Sequence, residues 1–400
     1  MKTRLLAYLS CPACGEPGLS VTDPPGDVVE IESGTLACSA CRASFPVVRG
    51  IPRLFPEAAS YFDEAAPGKG ENSDPLAKAL RQTIENYSAY QGKVYAPLAD
   101  RLDNEKILEA RSGLSMSEFS GKVCLDAGCG VGRFARTMAR ANADLVVAFD
   151  AGYAVDEARA RSMEYGNIEW IQADILRPPF RPETFDRVIS IGVLNLTAKP
   201  DLGFFNLSKL VRKGGTYTVY VHLCAYVPWD KIHSIKTSLG HLYDIAFKER
   251  FRRIVARLPD ETRLGVCKAL WRFRELIESL KSKEAPGPFL ANLIRRLGPN
   301  YSDKPLESAE SNIARNFDTY STPHQNSNEL AEVIDWFEKT RRFRRIRFTP
   351  FRQSVTGWVD EPRMPHEAML IEYFPARSIG EIEAGGVETE RRTADTDGPA

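Results

Sequence analysis

The sequence predicts an α/β chain: a mostly parallel sheet with helices on both faces, a small metal-stabilised module before it, and a helical insert within it. Three observations carry this expectation. Apolar runs shaped like buried strands alternate with helical stretches between residues 122 and 221. Two Cys-x-x-Cys pairs, Cys11/Cys14 and Cys38/Cys41, stand close to the amino terminus. Residues 225–306 interrupt the alternation with amphipathic, basic helical patterns. At 400 residues the chain exceeds one ordinary core, and 43% hydrophobic with 26% charged residues is a globular composition.

Lys+Arg and Asp+Glu are both 53, so the whole-chain balance gives no support to a dedicated nucleic-acid binder. No apolar run is long enough to span a bilayer. Met1 to Leu9 runs directly into Cys11-Pro12-Ala13-Cys14 with no signal-peptide core, and the expectation is a cytoplasmic protein.

The paired cysteines suit one metal ion. Thiolates three positions apart on a knuckle can share an ion at about 2.3 Å, and two knuckles complete a Zn²⁺ tetrahedron. Four thiolates leave no open position, so Cys11, Cys14, Cys38 and Cys41 predict a structural site. The alternative is a redox dithiol beside unrelated cysteines. Val28–Ile31 and Gly34–Ala37 read as short strands delivering the second knuckle. With Phe45-Pro46-Val47 and Gly50-Ile51-Pro52, this frame resembles the small zinc-ribbon activator subunit of tRNA and protein methyltransferases, over residues 1–57.

Residues 58–116 read as a Gly/Pro/acid-rich linker followed by helices around Leu76–Tyr90 and Leu98–Arg111. The core follows at 117–224. Lys122–Asp126 is a strand, Ala127–Gly132 a glycine turn, and Arg133–Arg140 a helix. The third glycine comes one residue too early for a dinucleotide fingerprint, and Asp126 precedes the turn. Leu145–Asp150, Ile168–Asp174, Phe185–Leu194 and Val211–Val221 supply further strands. The order Asp-x-Gly-x-Gly-x-Gly, followed by strands ending in Asp150 and Asp174, resembles the class I S-adenosylmethionine-dependent methyltransferases. That resemblance implies a Rossmann-like sheet and a cofactor site of Asp126, Gly128, Gly130, Gly132, Asp150, Asp174 and Gly192. Asp150 would take the ribose hydroxyls and Asp174 the adenine amino group. Cys129 reads as packing and Asp186 as a strand support.

Many members of that family carry Val-Leu-His-His after the fourth strand, and this chain has Val193-Leu194-Asn195-Leu196. Asn195 can orient an acceptor by hydrogen bonding but cannot take a proton near neutrality. The insert 225–306 holds sixteen Lys+Arg against nine Asp+Glu. It reads as helices packed on the core, as a lid selecting an anionic or bulky substrate, or as a membrane-surface element. Residues 307–375 return to the core. Asn316–Gln325 reads as a loop before a helix over 328–340, with Tyr320 and His324 as candidate substrate contacts or as a plain helix entry. Arg341–Phe348 reads as a strand edge whose charge pairs with that acidic helix or blunts the edge. Residues 376–400 read as a disordered tail.

The expected reaction is methyl transfer to a small-molecule or carrier-attached metabolite, with Zn²⁺ structural. The rivals are a tRNA or rRNA methyltransferase, and a non-catalytic cofactor-binding scaffold. Neither oligomeric state nor acceptor atom is legible.

Overall fold

The computed structural model describes residues 1–22, 30–55, 75–221, 247–248, 250–281, 286–299, 301, 308–322, 326, 328–349, 354–359 and 368–373. Val28, Val29, His324 and the 376–400 tail therefore lie outside the described residues.

Four short strands open the chain: β1 (Leu19–Thr22), β2 (Ser33–Cys38), β3 (Ser44–Val48) and β4 (Ile51–Leu54), paired antiparallel in sequence order. Helices α1 (Pro75–Tyr90), α2 (Ala96–Ala99) and α3 (Asn104–Ser112) follow. A π-helical turn over Gln91–Tyr95 joins the first two. Asp103 caps α3 by accepting the Lys106 N–H, and Gly113 ends it in the left-handed region.

The core alternates β5 (Val123–Ala127), α4 (Arg133–Arg140), β6 (Leu145–Asp150), α5 (Ala154–Ala160), β7 (Ile168–Ala173), β8 (Phe185–Ile191), α6 (Pro200–Ser208) and β9 (Val211–Tyr220). Then come α7 (Arg250–Val255), α8 (Asp260–Lys281), α9 (Gly287–Leu297), α10 (Ala309–Ser321) and α11 (Leu330–Thr340). Strands β10 (Phe343–Phe348), β11 (Ser354–Val359) and β12 (Leu370–Tyr373) close the described chain.

All twelve described strands form one sheet, in the order β1-β2-β3-β4-β7-β6-β5-β8-β9-β11-β10-β12. The joint between the amino-terminal module and the core is parallel: Arg53 faces Gln172 and Leu54 faces Ala173. The four core strands β7-β6-β5-β8 and their neighbour β9 are likewise parallel. Nearly every residue of β5, β6 and β7 is buried, as a sheet covered on both faces requires.

One face packs Leu125, Val147, Phe149 and Ile171 with Phe204 of α6 and Phe337 of α11, continuous with Leu5, Leu36, Phe45 and Leu54 of the amino-terminal module. The other packs Cys124, Val146, Ala148 and Ile189 against Leu108, Phe134, Met138 and Val155. Asp186 supports β5 by accepting the Val123 N–H at 2.9 Å, and it pairs with Arg212.

The insert helices join α1 and α10 in a separate cover. Phe317 stacks on Tyr90, with Val255, Cys267, Leu270 and Tyr320 around them. Arg263 is fully buried there; it donates to Asn86 Oδ1 at 2.8 Å and to the Leu258 carbonyl at 2.7 Å. The Asn86 amide in turn donates to the carbonyls of Ala256 and Ser321.

Two sequence expectations need correction. Asn316–Ser321 is the last part of α10 rather than a loop, because Ala314, Phe317 and Tyr320 recur every three residues and bury one helical face. Strand β10 is not an edge: β12 pairs with it in parallel, and Arg347 donates to Glu372 at 2.8 Å across that pair. Within the basic run, Arg345 and Arg347 both pair with Glu372.

Candidate active site

Strand β5 ends at Ala127 and the chain folds back over the end of β6. Gly128 and Cys129 both donate their N–H to the Phe149 carbonyl, at 2.8 and 3.0 Å. Asp150, the last residue of β6, accepts the Gly130 N–H on Oδ2 at 2.9 Å and the Gly152 N–H on Oδ1 at 2.7 Å. Two signals twenty residues apart in sequence are thus one hydrogen-bonded cluster. Burial raises the Asp150 pKa against the pull of these backbone donors.

Asp126 is buried one strand away, and its Oδ2 has no hydrogen-bond partner. Burial pushes its pKa up to about 7, with Arg133 opposing. An orphaned carboxylate oxygen is costly, and a ligand donor would satisfy it. Gly132 shows why the turn needs glycine: its φ is +71°, and a Cβ there would overlap the Trp170 ring. At Gly128 (φ +80°) a Cβ would overlap Val193.

Asp174 follows β7, and its Oδ1 accepts the Leu176 N–H at 2.8 Å; burial raises its pKa too. Gly192 follows β8, donates to the Tyr220 carbonyl at 2.9 Å, and has the Tyr220 ring 3.8 Å from where its Cβ would stand. Asp126, the glycine turn, Asp150, Asp174 and Gly192 therefore stand at the carboxyl ends of four adjacent strands, where open α/β sheets take ligands.

The acceptor-side candidates separate. Asn195 lies in a 3₁₀ turn over Leu194–Leu196, just past Gly192. It is fully buried, and neither its amide nitrogen nor its amide oxygen has a partner. Its main-chain carbonyl accepts the Asn326 N–H at 2.7 Å, and the Asn326 amide donates to the Thr197 carbonyl at 2.6 Å. Tyr320 instead belongs to the helical cover, edge-on to Phe251 at 5.7 Å, and burial raises its phenol pKa.

Two residues that sequence reasoning passed over reach this region. Gln91 begins the π-helical turn, and its Oε1 lies 2.9 Å from where a Gly130 Cβ would be. Such turns recur at functional sites. Arg111, in the last turn of α3, lays its guanidinium 4.5 Å from the centroid of the Tyr220 ring. Burial lowers its pKa, with Arg133 adding to the effect. The helix break after Tyr90 was the one available signal, and it did not single out Gln91.

In the amino-terminal module, the sulfurs of Cys11, Cys14, Cys38 and Cys41 all lie within 4.8 Å of one another. Cys11–Cys41 and Cys14–Cys38 are each 3.7 Å apart. A tetrahedral ion with Zn–S near 2.3 Å has sulfur–sulfur edges of about 3.8 Å, so the cluster could hold zinc. The Cys41 N–H and then the Ala40 N–H pull the Cys38 thiol down to about 7, against its burial. Burial pushes the Cys11 thiol up to about 12, and a bound cation would reverse that. Among the described residues no helix is long and apolar enough to cross a membrane.

Comparison with known proteins agrees with this geometry. Residues 124–215 match the family described as methyltransferase domain, and residues 2–50 match that of Trm112p-like protein. The chain is 27% identical over 135 residues to a sterol 24-C-methyltransferase of Saccharomyces cerevisiae, covering 33% of this chain and 34% of that one. It is 39% identical over 84 residues to a 2-phytyl-1,4-naphtoquinone methyltransferase of Thermosynechococcus vestitus, covering 20% and 37%. The chain thus spans about a third of the length of these curated relatives. Among solved structures, a complex of the Haloferax volcanii Trm112 methyltransferase activator with a putative methyltransferase aligns at 19% identity with a TM-score of 0.31, over 35% of this chain and 61% of that one. The methyltransferase family implies S-adenosylmethionine, and the acid-flanked glycine turn with its orphaned Asp126 oxygen fits that cofactor. The chain carries a class I S-adenosylmethionine-dependent methyltransferase domain, with a Trm112p-like four-cysteine domain on its amino-terminal side.

Proposed function

We propose that the chain transfers the methyl group of S-adenosylmethionine to a small-molecule or carrier-attached acceptor by in-line displacement. The observation that carries this reading is the convergence of Asp126, the glycine turn and Asp150 at adjacent strand ends within the matched domain. The cofactor supplies an electrophilic methyl group. The chain's own work is then to bind, orient and exclude water, and positioning of this kind can supply about 7–11 kcal/mol of a barrier. Asp150 accepts the ribose hydroxyls, and Asp174 faces the adenine side. The unpartnered Asn195 amide, buried beyond Gly192, orients the acceptor, and the Tyr220 ring that carries Arg111 stands against Gly192. Asn195 holds no exchangeable charge near neutrality, so this reading assigns it no base role. The names of the two curated relatives, a sterol and a naphthoquinone methyltransferase, support a small-molecule acceptor. The balanced overall charge counts against a nucleic-acid acceptor.

Calorimetry tests the cofactor half. S-adenosylhomocysteine should bind, NAD and ATP far more weakly, and Asp150→Ala should cost about 1–3 kcal/mol of affinity. Tight NAD binding with no heat from the homocysteine compound would end this reading.

A further inference from the structure

Helix α9 is docked the wrong way round for a soluble protein. A surface helix ordinarily hides its apolar stripe and exposes its polar face. Here Phe289, Leu290, Leu293 and Leu297 are 74, 42, 43 and 51% exposed, while the small Ala291 is fully buried. At about 100° per residue these four fall within an arc of about 100°, so they form one outward stripe. Leu276 of α8, the helix α9 packs against, is 57% exposed as well.

The layer carrying this stripe is strongly basic. Residues 250–281 and 287–297 hold eleven Lys+Arg against four Asp+Glu, in a chain whose charges balance overall. Arg253, Arg257, Lys268 and Arg272 among them are exposed. That combination discriminates between occupants. A second copy presenting this same face would bring equal positive charge against it and be repelled. A surface both apolar and negatively charged satisfies both features at once, and a bilayer with anionic headgroups is such a surface.

We propose that the α7–α9 layer docks on the surface of an anionic lipid membrane, with α9 lying in the interface and its Phe/Leu stripe turned to the acyl boundary. Spanning is not involved. The contact is independent of the methyl-transfer reading, since no cofactor-site residue takes part.

The test is co-sedimentation of the full chain with vesicles of phosphatidylcholine alone or mixed with phosphatidylglycerol. Binding is expected to the mixed vesicles and to weaken as salt rises. Phe289→Glu combined with Leu293→Glu should lower the partition coefficient at least tenfold, with S-adenosylhomocysteine affinity and thermal midpoint unchanged. Lys268→Glu with Arg272→Glu, which leaves the stripe intact, should also lower it. No wild-type binding to mixed vesicles, or equal binding by the Phe289/Leu293 variant, overturns the proposal. So does light scattering that finds a dimer broken by that variant in a chain that ignores vesicles.

Discussion

Asp126 sets a pH dependence that a single substitution can isolate. Its folded pKa, about 7, lies above the ordinary carboxylate value because the group is buried. The folded chain therefore holds this proton more tightly than the unfolded chain between about pH 4 and pH 7. The group costs nothing below that window, costs progressively more as pH rises through it, and reaches its full penalty above it. Asp126→Asn, which carries no charge to desolvate, should leave the ligand-free protein's stability unchanged near pH 4. At pH 8 it should stabilise by up to about 4 kcal/mol. Urea unfolding at the two pH values measures this, and an equal effect at both would show that burial does not govern Asp126. The same variant should bind S-adenosylhomocysteine more weakly. These acids and glycines were legible in the sequence because turn geometry restricts residue type locally: at Gly132 both the φ of +71° and the Trp170 ring exclude a side chain. Gln91 and Arg111 were not legible. Each sits in an ordinary helical pattern, and only tertiary packing carries it to Gly130 and Tyr220.

At the level of elements, the joint between β4 and β7 depends on more than its short ladder. Arg53, buried on β4, donates twice to Asp156 of α5, at 2.7 and 2.9 Å, and once to Gln172 of β7 at 2.7 Å. Removing Asp156 takes from this buried guanidinium the carboxylate that accepts two of its hydrogen bonds, so Asp156→Ala should destabilise by about 2–3 kcal/mol. The exposed Arg101–Glu310 pair between α3's approach and α10 is the control: Glu310→Ala should cost under about 1 kcal/mol. Chemical denaturation compares them, and similar costs would remove the clamp. The strands of the core were legible because continuous apolar runs of five or six residues have few other uses. Their pairing with β4 was not, since Ile51-Pro52-Arg53-Leu54 is too short to declare a partner. The ending of α10 misled for a related reason: Thr319-Tyr320-Ser321 has turn-like composition, and the burial of Phe317 and Tyr320 outweighs it. Glu372, an acidic partner of β10, lay on β12, a strand that no local pattern announced.

For the whole molecule, the sheet and one apolar cluster run without interruption from the cysteine module into the core. The resemblance of residues 1–57 to a small separate subunit suggests a detachable unit; the packing of Leu36, Phe45 and Leu54 with Phe149 and Ile171 argues for one cooperative body. Stripping metal with a chelator, or Cys38→Ser, should therefore lower the melting midpoint seen by tryptophan fluorescence, although residues 1–57 contain no tryptophan. An unchanged fluorescence transition would mean the module melts by itself. The covalent link also changes the order of the assembly reaction. Two separate chains meeting edge to edge form a pair whose population falls on dilution. Here donor strand and acceptor strand share one backbone, so their encounter is unimolecular and set by an effective concentration that dilution does not change. Each core is accompanied by one module at every expression level, neither can be titrated away from the other, and the β7 edge is already taken when a free strand of the same kind arrives.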